Sequence, residues 1–126
     1  MYNIEIKSSF EGFWRYNIMV MCAGYNHAGE QIFVTSGEDI IAQIGEELTS
    51  KPGDYPSNRV LQLQTPPASQ LRLLIYVIPH TLPLSSNMND SDPFELSVEV
   101  SSRSERVYIS KESVNQWSGD SFDIEI

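Results

Sequence analysis

The sequence predicts an all-β fold, an antiparallel β-sandwich of the jelly-roll or C2-like type with about eight strands and one or two short helices. Three observations support this class. Apolar and polar residues alternate with a period of two in most segments of the chain. Residues that favour turns separate these segments at intervals of roughly 8–15 residues. The strand–helix–strand alternation that marks parallel sheets does not occur.

The first part of the chain is predicted to contribute a strand and a hairpin. Alternation begins at Tyr2 and continues to residue 7. In 14–22 the even-numbered side chains can all face a core, and the Gly-rich stretch 24–29 is typical of a turn. Residues 12–35 are therefore predicted to form a hairpin. Cys22, the lone cysteine, falls on the apolar side of its strand and is predicted to be a core residue.

The second part of the chain is predicted to supply the remaining strands. These are short alternating or apolar segments at 60–64, 71–78, 94–100, 106–110 and 122–126. Segment 71–78 is apolar on both faces, which indicates a central strand or one that a partner covers. Proline follows the first two segments and ends them, because proline cannot donate a hydrogen bond to a strand ladder.

Two segments are candidates for short helices. Ser36 can cap a helix, and apolar residues follow it with helical spacing across 38–48, although the same residues also alternate as in a strand. We favour helix there. Ser110 can cap a helical turn that reaches Trp117 and ends at Gly119.

Length and charge narrow the class of protein. The chain has 126 residues and contains no linker long enough to separate two domains, so we predict a single domain over 1–126. It has 8 basic and 17 acidic residues, a formal net charge of −9, which makes nucleic acid a poor partner. No segment approaches the roughly 20 apolar residues of a membrane helix. The absence of a signal peptide and the single cysteine predict a cytoplasmic protein.

An apolar outer face is the main functional prediction. Large apolar side chains occupy the second face of two predicted strands, beside two arginines. An exposed patch of this kind marks an interface, with a protein partner or with a second copy of the chain. We predict that this face comprises Phe13, Arg15, Met19, Met21, Arg72, Leu74 and Tyr76. The alternative is that segment 38–48 covers it.

An acidic loop at 87–95 is a candidate cation site. It holds Asp90 and Asp92 as an Asp-x-Asp pair, with Glu95 nearby. Calcium takes about six to eight oxygen ligands, and calcium-binding sandwiches of the C2 type use acidic loops at one end of the fold. The alternative is that these residues only shape a turn. The sequence predicts no other cofactor, so calcium at this loop is the one candidate.

Aromatic residues in predicted loops offer another kind of site. Tyr25, Tyr55 and Trp117 could stack on the rings of a carbohydrate or anchor a partner. The alternative is that they close the open ends of the sandwich.

Catalytic signatures are absent from the sequence. There is no G-x-S-x-G elbow and no glycine-rich phosphate loop, and His27 and His80 lack the spacing of a zinc site. We therefore predict a non-catalytic interaction or assembly module, not an enzyme. Calcium-dependent C2-like binding and carbohydrate binding remain the alternatives.

Overall fold

The computed structural model describes residues 2–43, 48, 51–53, 55–56, 59–82, 93–102 and 105–126. These residues form eight strands and one short 3₁₀ helix. In chain order the elements are β1 (Tyr2–Lys7), the 3₁₀ helix (Glu11–Arg15), β2 (Tyr16–Tyr25), β3 (Gln31–Asp39), β4 (Val60–Thr65), β5 (Gln70–Pro79), β6 (Phe94–Ser102), β7 (Glu105–Val114) and β8 (Asp120–Glu125).

The strands form two four-stranded sheets, and every pairing is antiparallel. The β1 sheet has the order β4-β1-β6-β7, and the β2 sheet has the order β3-β2-β5-β8. Two of the six pairings, β2–β3 and β6–β7, join strands that follow each other in the chain. The predicted all-β antiparallel sandwich and its first hairpin are therefore confirmed.

The core lies between the two sheets. Because successive side chains of a strand point to opposite faces, every second residue of a strand faces this core. From the β1 sheet, Ile4 and Val98 are fully buried, and from the β2 sheet so are Ile18, Cys22 and Ile75. The prediction that Cys22 is a core residue is confirmed. Burial raises the pKa of its thiol to about 11, because a thiolate would lose its hydration there.

An aromatic cluster closes one end of the sandwich, which we call the Phe94 end. The Phe94 ring stacks on Phe10 with centroids 4.6 Å apart and lies 6.1 Å from Phe13 and 5.0 Å from Tyr16. The Tyr16 hydroxyl donates to the carbonyl oxygen of Gln116 at 2.5 Å. Burial raises the pKa of Tyr16 to about 12. The opposite end of β2, at Tyr25, is the Tyr25 end.

The predicted beginning of β2 was wrong. Residues 11–15 form the 3₁₀ helix, and the extended strand begins only at Tyr16. The amide of Phe13 donates to the carbonyl oxygen of Phe10 at 3.1 Å, which closes this helical turn. Phe13 consequently points into the core and is 1% exposed.

The predicted helical turn at 110–117 was also wrong, because β7 continues through Val114. A tight turn follows, in which the Gly119 amide donates to the carbonyl oxygen of Asn115 at 2.9 Å. Gly119 ends this turn with a φ of 64°, a conformation that glycine adopts without steric cost. For 38–48, β3 runs through Asp39 and residues 40–43 are not helical. The rest of that prediction, except Leu48, lies outside the described residues.

Among the helices of the described chain, none has the length and apolar character that crossing a membrane requires.

Candidate functional site

Apolar side chains cover the middle of the outer face of the β2 sheet. Met19 pairs with Tyr76 of β5, and Met21 pairs with Leu74. Met19, Met21 and Tyr76 are 39%, 45% and 42% exposed. The strand register brings the paired side chains next to each other on the same face of the sheet, so they form one continuous surface. The structure therefore brings together Met19, Met21, Leu74 and Tyr76 as expected from the sequence.

The edge strand β3 extends this surface. Val34 pairs with Ala23 of β2, and both Val34 and Ile32 are 51% exposed. Residues two apart in a strand share a face, so Ile32 and Val34 lie on the same side. We call the outer surface formed by Ile32, Val34, Met19, Met21, Leu74 and Tyr76 the Met19 face. The interaction face predicted from the sequence did not include Ile32 and Val34, because the apolar run Ile32-Phe33-Val34 does not show which side chains point outward.

A shallow groove of about 460 Å³ crosses the Met19 face, lined by Met19, Met21, Ser36, Glu38 and Tyr76. Met19, Met21 and Tyr76 form its floor, which is therefore largely apolar. Its β3 side is polar, since Ser36 pairs with Met21 and Glu38 pairs with Met19. The groove thus combines an apolar floor with an acidic border.

An ion pair borders the Met19 face on the β8 side. Arg72 Nε donates to Asp123 Oδ1 at 2.9 Å, and Nη2 donates to Oδ2 at 2.6 Å. This hydrogen-bonded guanidinium holds the pKa of the Asp123 carboxyl below its usual range. Both side chains are about half exposed. Arg72 therefore lies at the border of the Met19 face, in a bidentate ion pair with Asp123 of β8.

Two residues predicted for this face lie elsewhere. Phe13 is in the core, with the Arg59 guanidinium carbon 4.7 Å from its ring centre. Arg15 ends the 3₁₀ helix, half-buried, with its guanidinium carbon 5.7 Å from the Trp14 ring centre. Their inclusion was wrong because the alternation of β2 starts only at Tyr16.

The described residues that directly follow β3 cover one end of the Met19 face. Asn17 is on the outer side of β2 but is buried, since its side chain binds the backbone of Ile41 and Ala42. Beyond this point Met19 and Met21 remain exposed. Within the described part of 38–48, the predicted cover therefore reaches the Phe94 end of the face and not its middle.

The three loop aromatics do not form one site. Tyr25 ends β2, whereas Tyr55 and Trp117 lie at the Phe94 end. Trp117 is in the turn that leads to β8, and Tyr55 lies over Arg59, which is bound to Asp39 of β3. Since β3 and β8 are the two outer strands of the β2 sheet, Tyr55 and Trp117 belong to opposite edges.

The predicted cation site is only partly described. Asp90 and Asp92 lie outside the described residues. Glu95 is in β6, with its carboxylate 3.4 Å from Lys111 Nζ, and its carbonyl oxygen accepts from Ser8. No group of three metal-ligating side chains occurs within the described ranges. Calcium binding through Glu95 stays a prediction.

Comparison with known proteins found a similar solved structure. No protein-family model and no curated protein matches this chain. It is similar to a crystal structure of a DUF4425 family protein from Bacteroides ovatus, with 12% sequence identity and a TM-score of 0.46. The likeness covers 99% of this chain and 90% of that one.

Proposed function

We propose that this protein is a non-catalytic interaction module of the cytoplasm and that it binds a protein partner through the Met19 face. The observation that supports this is the pairing of Met19 with Tyr76 and of Met21 with Leu74 on the two central strands of the β2 sheet. The side chains of Met19, Met21 and Tyr76 are exposed to solvent. Central strands of a sandwich normally present polar residues to water. A contiguous apolar surface there is typical of an interface.

The side chains of the Met19 face suit a protein surface better than a small ligand. Methionine side chains are flexible and polarisable, and they adapt to the shape of a partner. Tyr76 adds a large amphipathic ring of the kind that is enriched at binding hot spots. The groove spans three adjacent strands, β3, β2 and β5, which suits an extended contact with another chain.

Charge around the Met19 face selects the class of partner. Three acidic residues, Glu38, Asp123 and Glu125, share the outer side of the β2 sheet with one base, Arg72. Two copies stacked through this face would bring their acidic borders together, in a chain whose net charge is −9. We therefore expect a different protein, with an apolar centre and a basic border.

Site-specific photo-crosslinking in the native cell tests the proposal. A photoreactive amino acid at Met21 should yield a discrete crosslinked partner. The matched control is the same substitution at Val107, which is 47% exposed on β7 of the other sheet. Equal crosslinking patterns from the two positions would contradict the proposal.

The affinity of the purified partner provides the quantitative test. Tyr76→Lys should weaken binding at least about tenfold, the scale of a hot-spot residue, whereas Val107→Lys should leave it unchanged. Circular dichroism should show that both variants keep the β-sheet spectrum. A concentration-dependent homodimer that Tyr76→Lys abolishes would overturn the assignment to a different protein.

A further inference from the structure

A second cavity lies on the β1 sheet at the Phe94 end. It has a volume of about 610 Å³ and is lined by side chains from the end of β1, from β6 and β7, and by Lys51, Tyr55 and Arg59. Cavities that hold small organic ligands have volumes of about 300–1,000 Å³. None of the predicted interaction residues on the β2 sheet contributes to its wall, so it is a separate site.

The charge of this cavity is opposite to that of the chain. Four basic residues line it, Lys7, Lys51, Arg59 and Lys111, against two acidic residues, Glu11 and Glu95. The chain as a whole has only 8 basic residues and a net charge of −9. Half of all the basic residues are therefore gathered around one cavity. Because Arg59 is paired with Asp39, the three lysines and two glutamates of the wall leave one positive charge in excess.

Strand register arranges two of these cations around a hydroxyl. Lys7 of β1 pairs with Ser97 of β6, and Ser97 pairs with Lys111 of β7. The three residues form one row across three strands and point to the outer side, since Ile6 and Val98 beside them are buried. With strands about 4.8 Å apart, the two lysines lie on either side of the serine. This arrangement suits an anionic group bound over Ser97.

The donors of this row are available to a ligand. Lys7 and the Ser97 hydroxyl have no hydrogen-bond or ion-pair partner among the described residues. Lys111 is 3.4 Å from Glu95, and both side chains are almost two-thirds exposed, so their pairing is weak. Two ammonium groups on one row repel each other, and an anion between them would remove that repulsion.

Arg59 has a different role, because its guanidinium is already bound. It donates to Asp39 and to the carbonyl oxygen of Phe13, and its side chain is 2% exposed. It holds Tyr55, whose ring centre is 5.9 Å from the guanidinium carbon, at the cavity wall. Burial raises the pKa of Tyr55, so the wall it forms is a neutral ring, with Lys51 Nζ 5.7 Å from its centre.

From this geometry we infer that the cavity binds a small organic anion. The phosphate or carboxylate group is held over Ser97 by Lys7 and Lys111, and the organic part packs against Tyr55. The site is independent of the Met19 face, and its ligand is not a protein.

Chemical-shift titrations of the full chain at constant ionic strength test this inference. The probes are phenyl phosphate and benzoate, with inorganic phosphate and acetate as the matching anions without a ring. We expect saturable shifts at residues 7, 97 and 111 with a ring-bearing probe, and weaker binding of its ring-free counterpart. The phosphate and carboxylate arms show which anionic group the site prefers.

Matched variants separate a specific site from general attraction. Lys7→Gln should weaken binding about tenfold, as expected for a lost charge-assisted hydrogen bond, and Lys111→Gln should also weaken it. Tyr55→Leu should lower affinity for phenyl phosphate and leave that for phosphate. Arg106→Gln removes the same charge from β7 outside the cavity and should change nothing.

Two outcomes would overturn the inference. One is the absence of saturable shifts with all four probes. The other is an equal loss of affinity in Lys7→Gln and Arg106→Gln, which would indicate attraction by overall charge. Neither outcome bears on the Met19 face, so the two proposals can fail separately.

Discussion

The carboxamide of Asn17 binds the backbone of Ala42 through both of its polar atoms. Nδ2 donates to the carbonyl oxygen of Ala42 at 2.6 Å, and Oδ1 accepts from the amides of Ile41 and Ala42 at 2.8 and 3.3 Å. Asn17 is the first outward residue of β2, and Met19 is the next. A single side chain therefore fixes where the Met19 face begins.

Replacement of Asn17 by Ala should destabilise the fold by about 1–3 kcal/mol, because it leaves the partly buried amide of Ile41 and the buried backbone groups of Ala42 without these hydrogen bonds. Urea denaturation followed by circular dichroism measures this loss. Asn3→Ala is the matched control, since the Asn3 side chain has no hydrogen-bond partner among the described residues. Equal stability of the two variants would show that Asn17 does not anchor the chain after β3.

Arg59 and Arg72 each pair with an aspartate, but their removal should have unequal effects. Arg59→Met should cost about 2–4 kcal/mol, because it leaves Asp39 and the carbonyl oxygen of Phe13 without their buried donor. Arg72→Met breaks an exposed fork with Asp123 and should hardly change the melting temperature. Thermal melts of the two variants side by side measure the difference, and similar losses would contradict this reading of burial.

Stability should fall in alkaline solution as Tyr16 and Cys22 begin to titrate in the unfolded chain. Their pKa values rise from 10.0 to about 12 and from 9.0 to about 11 on folding. Below pH 9 both groups are protonated in both states, and their contribution is complete. Between pH 9 and 11 the unfolded thiol loses its proton first, so the Cys22 contribution decreases by up to about 1.4 kcal/mol per pH unit.

The variant Cys22→Ala separates this effect from other titrations. It should lower stability at pH 8 through the lost packing, yet reduce the decline between pH 9 and 11. Denaturation curves at several pH values measure both quantities. An unchanged slope in Cys22→Ala would mean that the thiol is not the group responsible.

Gly119 should tolerate substitution much less than Gly29. Both have positive φ, 64° and 80°, which costs a residue with a side chain about 1 kcal/mol. A Cβ at Gly119 would in addition collide with the carbonyl oxygen of Val77, whereas at Gly29 it would meet nothing within 4 Å. Gly119→Ala should therefore lower the melting temperature clearly more than Gly29→Ala, and the reverse order would contradict the turn geometry.

Most of the strands could be predicted because one of their two faces packs against the core. In β6, Phe94, Leu96 and Val98 face the core, and the residues between them do not. This regular burial produces the period of two in the sequence. The same alternation placed Met19, Met21, Leu74 and Tyr76 on one surface. Segment 71–78 is apolar on both faces, and only one of them can face the core, so the other must form an apolar outer surface.

The failures come from places where backbone hydrogen bonds override the pattern of side chains. Phe13 continues the alternation of β2 by sequence, but a 3₁₀ turn rotates it into the core. The turn at 115–119 is fixed by Asn115, whose side-chain oxygen accepts from the amides of Trp117 and Ser118. Such local bonds have no periodic signature.

The cavity on the β1 sheet had no signal in the sequence. Lys7 comes from β1, which is distant in the chain from the β6–β7 hairpin that carries Ser97 and Lys111, and only the register brings the three residues into one row. A count of charged residues cannot show this, since the chain is acidic overall. The signal appears only once the strand order is known.

Strand order also sets the time course of folding. β1 lies between β4 and β6, so its first ladder can form only after the segment that joins it to β4 or to β6 has closed into a loop. β2 and β3 can pair at once, but β5 is needed before their sheet has a third strand. With most pairings joining distant segments, the loop-closure entropy is paid before the core is gained, and folding is expected on a time scale of about milliseconds to seconds. During that interval the apolar side of β1, which is buried in the folded state, is exposed, and exposed apolar strands favour aggregation.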